Sequence, residues 1–146
     1  MPVSKSFWGV IERRGRQIHP NVRDEEKTMV KWEGAAEKMS ISVNLFYHGK
    51  NGNALKFARE MEESGIADAI RAEEGNLRYQ YFQPLNDPET ILLIDSWRDQ
   101  AAIDAHHSSP MMKKLADLRD KYDLHMEAER FASIEAPSSD DKYLRK

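Results

Sequence analysis

From residue 41 to residue 135 the apolar positions follow two alternating rhythms, one of period two and one with steps of three and four. Ile41, Val43, Leu45 and Tyr47 alternate with Ser42, Asn44, Phe46 and His48, as in a strand. The turn His48–Asn53 follows, with Asn51 or Asn53 placed to cap a helix. Leu55, Ala58, Met61, Ile66, Ala69 and Ile70 recur at helical spacing and predict one helix of about five turns, with Gly65 inside it and Gly75 as its left-handed stop. Alternation returns from Leu77 to Gln83, with Leu77, Tyr79 and Tyr81 expected on one face, and the proline-flanked turn Pro84–Pro88 leads into a hairpin partner over Thr90–Trp97. The centre of that partner, Ile91-Leu92-Leu93-Ile94, is apolar at every position, so both of its faces should be covered.

The remaining segments are a short helix capped by Asp99, a break at His106–Pro110, and a second helix with an apolar stripe of Met111, Leu115, Leu118 and Tyr122. Ser109-Pro110 reads as its cap and first turn, and a more polar strand follows over Leu124–Ile134. The order strand, helix, strand, strand, helix, strand is that of an α+β, ferredoxin-like βαββαβ fold with an antiparallel sheet. Two helical layers on one side leave the other face of the sheet uncovered. A second copy of the sheet is the simplest lid, so a homodimer with sheets face to face, a dimeric α/β barrel, is expected. The domain is placed at residues 39–135 and a flexible polar tail at 136–146. Residues 1–38 carry two short strand-like pieces, around Phe7–Ile11 and Thr28–Trp32, and read as an added arm or an extension upstream of Met39.

Charge and composition narrow the function classes. Lys+Arg 22 against Asp+Glu 25 gives a formal net charge of −3, and no basic stripe suited to nucleic acid or anionic lipid is present. No apolar run approaches the ~20 residues of a membrane span, and the N-terminus lacks a signal-peptide core, so a cytoplasmic chain with no membrane partner is expected. The absence of cysteine excludes disulfides, thiolate metal sites and cysteine nucleophiles. There is no phosphate-binding glycine loop, no nucleophile elbow and no flavin or nicotinamide fingerprint, so no cofactor is expected. His106 and His107 are neighbours, which point about 100° apart on a helix, and neither has an acidic residue three or four positions on; no metal is expected.

Among groups able to carry chemistry, His106 lies beside the break between two helical pieces, and imidazole is the side chain that ordinarily titrates near neutrality. Trp97 ends the third strand as a packing or wall residue; Tyr47, Tyr79 and Tyr81 are aromatic strand positions that pack or line a cavity. Asn44 is a polar amide on an inner strand, which needs a partner, either a ligand or the opposing sheet. Asp95 stands inside the most apolar strand and needs one too, with Arg78 or Arg130 as candidates.

The run Glu73-Glu74-Gly75-Asn76-Leu77-Arg78-Tyr79, the run Asp95-Ser96-Trp97-Arg98-Asp99, His106 nine residues after Trp97, and Ser109-Pro110 beyond it together resemble the antibiotic biosynthesis monooxygenase family over about residues 39–134. The resemblance implies a dimeric fold of this class and, for its quinol-type members, cofactor-independent oxidation of a small aromatic substrate by molecular oxygen. It implies His106 as the catalytic group and Asn44, Tyr47, Tyr79, Trp97 and Met111 as substrate-binding residues. Many quinol-type members carry a second histidine where this chain has Met111, and His107 stands where a small apolar residue is usual. Haem-degrading relatives share an asparagine, matched by Asn44, but their tryptophan and histidine positions fall at His106 and Ala116. Two other readings stay open: an isomerase of a small phosphorylated dicarbonyl, with Lys50 and Arg78 as the nearest phosphate clamp, and a non-enzymatic dimer that binds a small metabolite.

Overall fold

The computed structural model describes residues 39–146; the arm expected over 1–38 lies outside the described residues. Four strands, β1 (Ile41–His48), β2 (Asn76–Phe82), β3 (Thr90–Trp97) and β4 (His125–Ala132), form one antiparallel sheet in the order β2-β3-β1-β4. Four helices connect them: α1 (Asn53–Glu63) and α2 (Ile66–Arg71) between β1 and β2, and α3 (Gln100–His107) and α4 (Met111–Lys121) between β3 and β4. The expected α+β, ferredoxin-like arrangement is what the chain adopts. The end of the chain carries an exposed 3-10 turn over Ser138–Tyr143.

The register fixes which side chains share a face. Tyr47 pairs with Ile91, Leu45 with Leu93, Val43 with Asp95 and Ile41 with Trp97, and Tyr79 pairs with Asp95 from the other side. These positions face the helices. Tyr47, Tyr79, Ile91, Leu93 and Trp97 are buried there against Phe57 and Met61 of α1, Ile70 of α2 and Ile103 of α3. Burying a side chain of the Leu or Ile class contributes about 1.5–3 kcal/mol, so this seam is the main source of stability. The other face presents Asn44 opposite Ile94, Phe46 opposite Leu92, and Phe82 opposite Leu92 across the hairpin. Its residues on β1 and β3 are half-buried, apart from Thr90 and Ser96 at the ends of β3, which are buried, while Gln80 on β2 is exposed. The outer strand β4 is almost wholly exposed.

Four local expectations are corrected. The single five-turn helix is two helices, because Gly65 takes φ 82 and stops α1 at Ser64. Neither Asn51 nor Asn53 caps α1: Gly52 takes the cap position, Asn51 has φ 58, and the Asn53 amide donates instead to the Tyr122 carbonyl at 3.2 Å. Leu77 does not join Tyr79 and Tyr81 in the interior; a register irregularity between Asn76 and Arg78 leaves it 59% exposed. Gly75 is left-handed as expected, with φ 84, but the helix before it already ends at Arg71, so Gly75 shapes the turn into β2 instead; its carbonyl accepts from the Arg98 amide at 2.8 Å, tying the start of β2 to the end of β3.

A Cβ at Gly75 would lie 2.6 Å from the Ala102 Cβ. Gly75→Ala is therefore expected to destabilise the fold by about 2–4 kcal/mol, from left-handed strain plus overpacking. Urea denaturation checks this: the midpoint should fall while the slope stays constant.

Candidate functional site

Three segments converge at one end of the helix-facing side of the sheet. The turn between α2 and β2 brings Glu73, the end of β3 brings Trp97, and the junction of α3 and α4 brings His106 and Ser109. His106 lies in the last turn of α3, on the same side as Ala102 and Ile103, which anchor that helix in the core. Asp99 starts α3 as expected, its carboxylate accepting from the Ala102 amide at 2.9 Å.

His106 is 4% exposed and stacks on Trp97 with ring centroids 4.6 Å apart. Its Nδ1 is 2.7 Å from Glu73 Oε2, and the Ser109 hydroxyl donates to Glu73 Oε1 at 3.1 Å. An ionised carboxylate only accepts, so Nδ1 carries the proton and donates to it. That tautomer leaves the Nε2 lone pair free to take a proton, the arrangement in which a carboxylate orients a histidine base. Ser109 is thus engaged by Glu73 rather than capping α4, which begins after Pro110 with no side-chain cap.

Glu73 as the partner of His106 escaped the sequence reading. The two are 33 residues apart, and nothing local joins them. The available signal was Gly75, whose left-handed backbone closes the turn that begins at Glu73.

A second group of polar residues lies further along the same sheet face. Asp95, two residues before Trp97, is 6% exposed, and its Oδ1 has no hydrogen-bond partner among the described residues. Burial pushes its carboxyl up to about 7; the Trp97 indole partly offsets this, and the charge of Glu73 adds to the rise. The expected partners do not reach it: Arg78 donates to Gln80 on the exposed hairpin strand, and Arg130 donates to Gln100. Tyr47 is fully buried, its hydroxyl also unpartnered, and burial followed by the Asp95 charge raises its phenol well above the usual range. Tyr79 and Tyr81 satisfy each other, hydroxyl to hydroxyl at 3.0 Å, and burial raises both phenols.

Of the residues singled out from sequence, His106, Trp97, Tyr47 and Tyr79 thus share the helix-facing interior, and Met111 packs half-buried against the same core. Asn44 stands on the opposite face of the sheet, paired with Ile94 and Glu129. Lys50 is exposed in the β1–α1 turn and Arg78 is exposed on β2, so the two do not gather into a phosphate clamp with His106. His107 is exposed. Among the described residues no group of three or more His, Asp or Glu side chains is placed to hold a metal ion, and no helix is long and apolar enough to cross a membrane.

Comparison with known proteins gives a consistent picture. The sequence model of the antibiotic biosynthesis monooxygenase family matches residues 40–118. YcnE of Bacillus subtilis strain 168, provisionally described as a monooxygenase, is 31% identical over 48 residues, covering 33% of this chain and 50% of YcnE. The chain thus matches about half the length of that relative. Two solved structures, from Caulobacter crescentus and Deinococcus radiodurans, are provisionally described as antibiotic biosynthesis monooxygenases. The first superposes with TM-score 0.60 at 15% identity, over 72% of this chain and 99% of its own. The second does so with TM-score 0.59 at 19% identity, over 67% and 96%. At these identities the two structures speak for the fold.

The buried Asp95 makes stability depend on pH. Its folded pKa, about 7, lies above the unfolded value of 3.8, so the folded chain holds this proton more tightly. The resulting stabilisation is complete below pH 3.8 and is lost as pH rises towards 7. Between pH 5 and pH 8 the wild type is expected to lose on the order of 3 kcal/mol relative to Asp95→Asn, read from thermal or urea unfolding of both proteins at each pH. Parallel pH curves for the two would contradict the ionisation of a buried Asp95.

Proposed function

Because the chain belongs to the antibiotic biosynthesis monooxygenase family, we propose that it is a cofactor-independent monooxygenase oxidising a small aromatic, quinol-like substrate with molecular oxygen. The observation that carries this reading is the pairing of buried His106 with Glu73, with Ser109 on the second carboxylate oxygen and Trp97 stacked on the imidazole. The substrate occupies the interior between sheet and helices, against Trp97, Tyr47, Tyr79 and Met111. Nε2 of His106 takes a proton from the substrate hydroxyl, and Glu73 holds the tautomer and steadies the imidazolium that forms. The electron-rich anion passes an electron to oxygen, and the resulting radicals join at ring carbon. One oxygen atom stays on the ring and the other leaves as water, so quinol plus O2 gives hydroxyquinone plus water. Exclusion of water by the apolar walls keeps the reactive anion from other fates.

The same reading places a second copy of the chain on the sheet face that no described helix covers. Phe46, Phe82, Leu92 and Ile94 are only half-buried there, and Asn44 lies among them as a polar position at the seam. Ile94→Asp would put a charge at the centre of that face. Sedimentation velocity should find a wild-type dimer and a variant shifted to monomer at micromolar concentration; a variant that stays dimeric would move the interface elsewhere.

The activity is tested by oxygen uptake against a panel of quinols and anthrone-like phenols. Wild type should exceed the autoxidation rate, His106→Ala should lower kcat by about 100-fold or more, and Glu73→Gln by tenfold or more with little change in KM. Full activity in His106→Ala would remove the histidine from the mechanism. An absence of uptake by a folded wild-type protein across the panel would remove the oxygenase reading.

A further inference from the structure

The chemistry assigned to His106 and Glu73 leaves two buried groups unused. Asp95 Oδ1 and the Tyr47 hydroxyl have no hydrogen-bond partner among the described residues, although their side chains are respectively 6% exposed and fully buried. A buried polar atom without a partner is costly, and folded proteins retain few of them; those that remain mark a place where water or a ligand completes the bonding. Both residues face the helices, Tyr47 from β1 and Asp95 from β3, and the Asp95 charge is felt at the Tyr47 phenol. Around them stand aromatic rings that make no polar demand. Phe57 lies 4.9 Å from the Tyr47 ring and 6.1 Å from Tyr81, whose hydroxyl and that of Tyr79 bond each other.

We propose that Asp95 and Tyr47 form a hydroxyl-recognition pair, by which this interior selects the reduced aromatic diol over its quinone. The pair rests on the quinol reading above and adds its specificity. A diol hydroxyl donates to Asp95 Oδ1, and the second ligand oxygen accepts from the Tyr47 hydroxyl. A quinone carbonyl has no proton to give, so it turns a lone pair towards the carboxylate and is repelled. Oxidation of the bound diol thereby weakens its hold and favours release of product.

The charge surroundings set the pH at which this selection operates. Facing the pair are Glu73 from the turn after α2, Tyr79 from β2 and Trp97 from β3, with His106 of α3 stacked behind Trp97; Arg119 of α4 acts on Tyr47 and Arg71 of α2 on Tyr79. Asp95 is ionised only above about 7. Below that pH the carboxyl is itself a donor, and a carbonyl becomes an acceptable partner.

The test is anaerobic calorimetric titration of the full chain with 1,4-dihydroxynaphthalene and, separately, 1,4-naphthoquinone, at pH 6 and pH 8. The chain has no cysteine, so thiol addition to the quinone does not interfere. At pH 8 the wild type should bind the diol at least tenfold more tightly than the quinone, and at pH 6 the preference should shrink to threefold or less. Asp95→Asn, whose amide donates, should lose the preference at both pH values. Tyr47→Phe should weaken both ligands several-fold while keeping the preference. Circular dichroism confirms that each variant is folded. A diol-to-quinone ratio that is the same in wild type and Asp95→Asn, or no binding of either probe, overturns the pair and leaves the two orphaned groups to ordered water. Oxygen uptake that persists with an unchanged ratio rejects the pair alone. Asp95-dependent binding without oxygen uptake rejects the oxygenase reading and keeps the pair.

Discussion

The hydrogen bond between Glu73 and His106 joins parts of the chain that no local interaction would bring together, and much of the site's geometry follows from it. Glu73 is held by the tight turn that Gly75 allows, and His106 by the last turn of a helix whose other end is capped by Asp99. Each end is positioned by its own local device, and the bond closes only because Ala102 and Ile103 seat the helix on the sheet. The indole of Trp97 covers one face of the imidazole, so the histidine end of the bond is shielded from water and losing its partner would be costly. Ser109 completes the second carboxylate oxygen.

Two carboxylates near one another have opposite circumstances. Glu73 has both carboxylate oxygens engaged, one by a histidine and one by a serine. Asp95 has a bare oxygen in an apolar layer, which favours its neutral form near pH 7. One interior therefore holds a carboxylate with both oxygens bonded and another with a bare one, within mutual electrostatic reach, and the difference comes from hydrogen bonding and burial.

The fold was legible because its signals are local and repeated. Alternation marked β1 and β2, turn residues marked the hairpin, and the apolar run of β3 marked a strand inside the sheet. The helix break at Gly65 was less legible: helical spacing continues through it, and only the left-handed backbone reveals the stop. The alternation also bears on Asn44. It is an odd number of residues from Tyr47, so on one strand the two face opposite sides, and the register confirms that separation. Grouping them in one site had joined residues that the period itself divides. Glu73, Ser109 and the isolation of Asp95 were not legible, because each depends on which distant segment arrives beside it.

The outer strand β4 has a consequence for the chain's life at high concentration. Glu127 and Glu129 stand on one face of it and Arg130 on the other, and nearly every position is exposed. An edge strand offers unpaired backbone groups to any other extended chain, which is the first step of fibrillar aggregation. Charged side chains along that edge make a like strand from another molecule a poor neighbour. Sideways growth in the plane of the sheet is discouraged, and crowding should leave the protein dispersed rather than driving it into cross-β deposits.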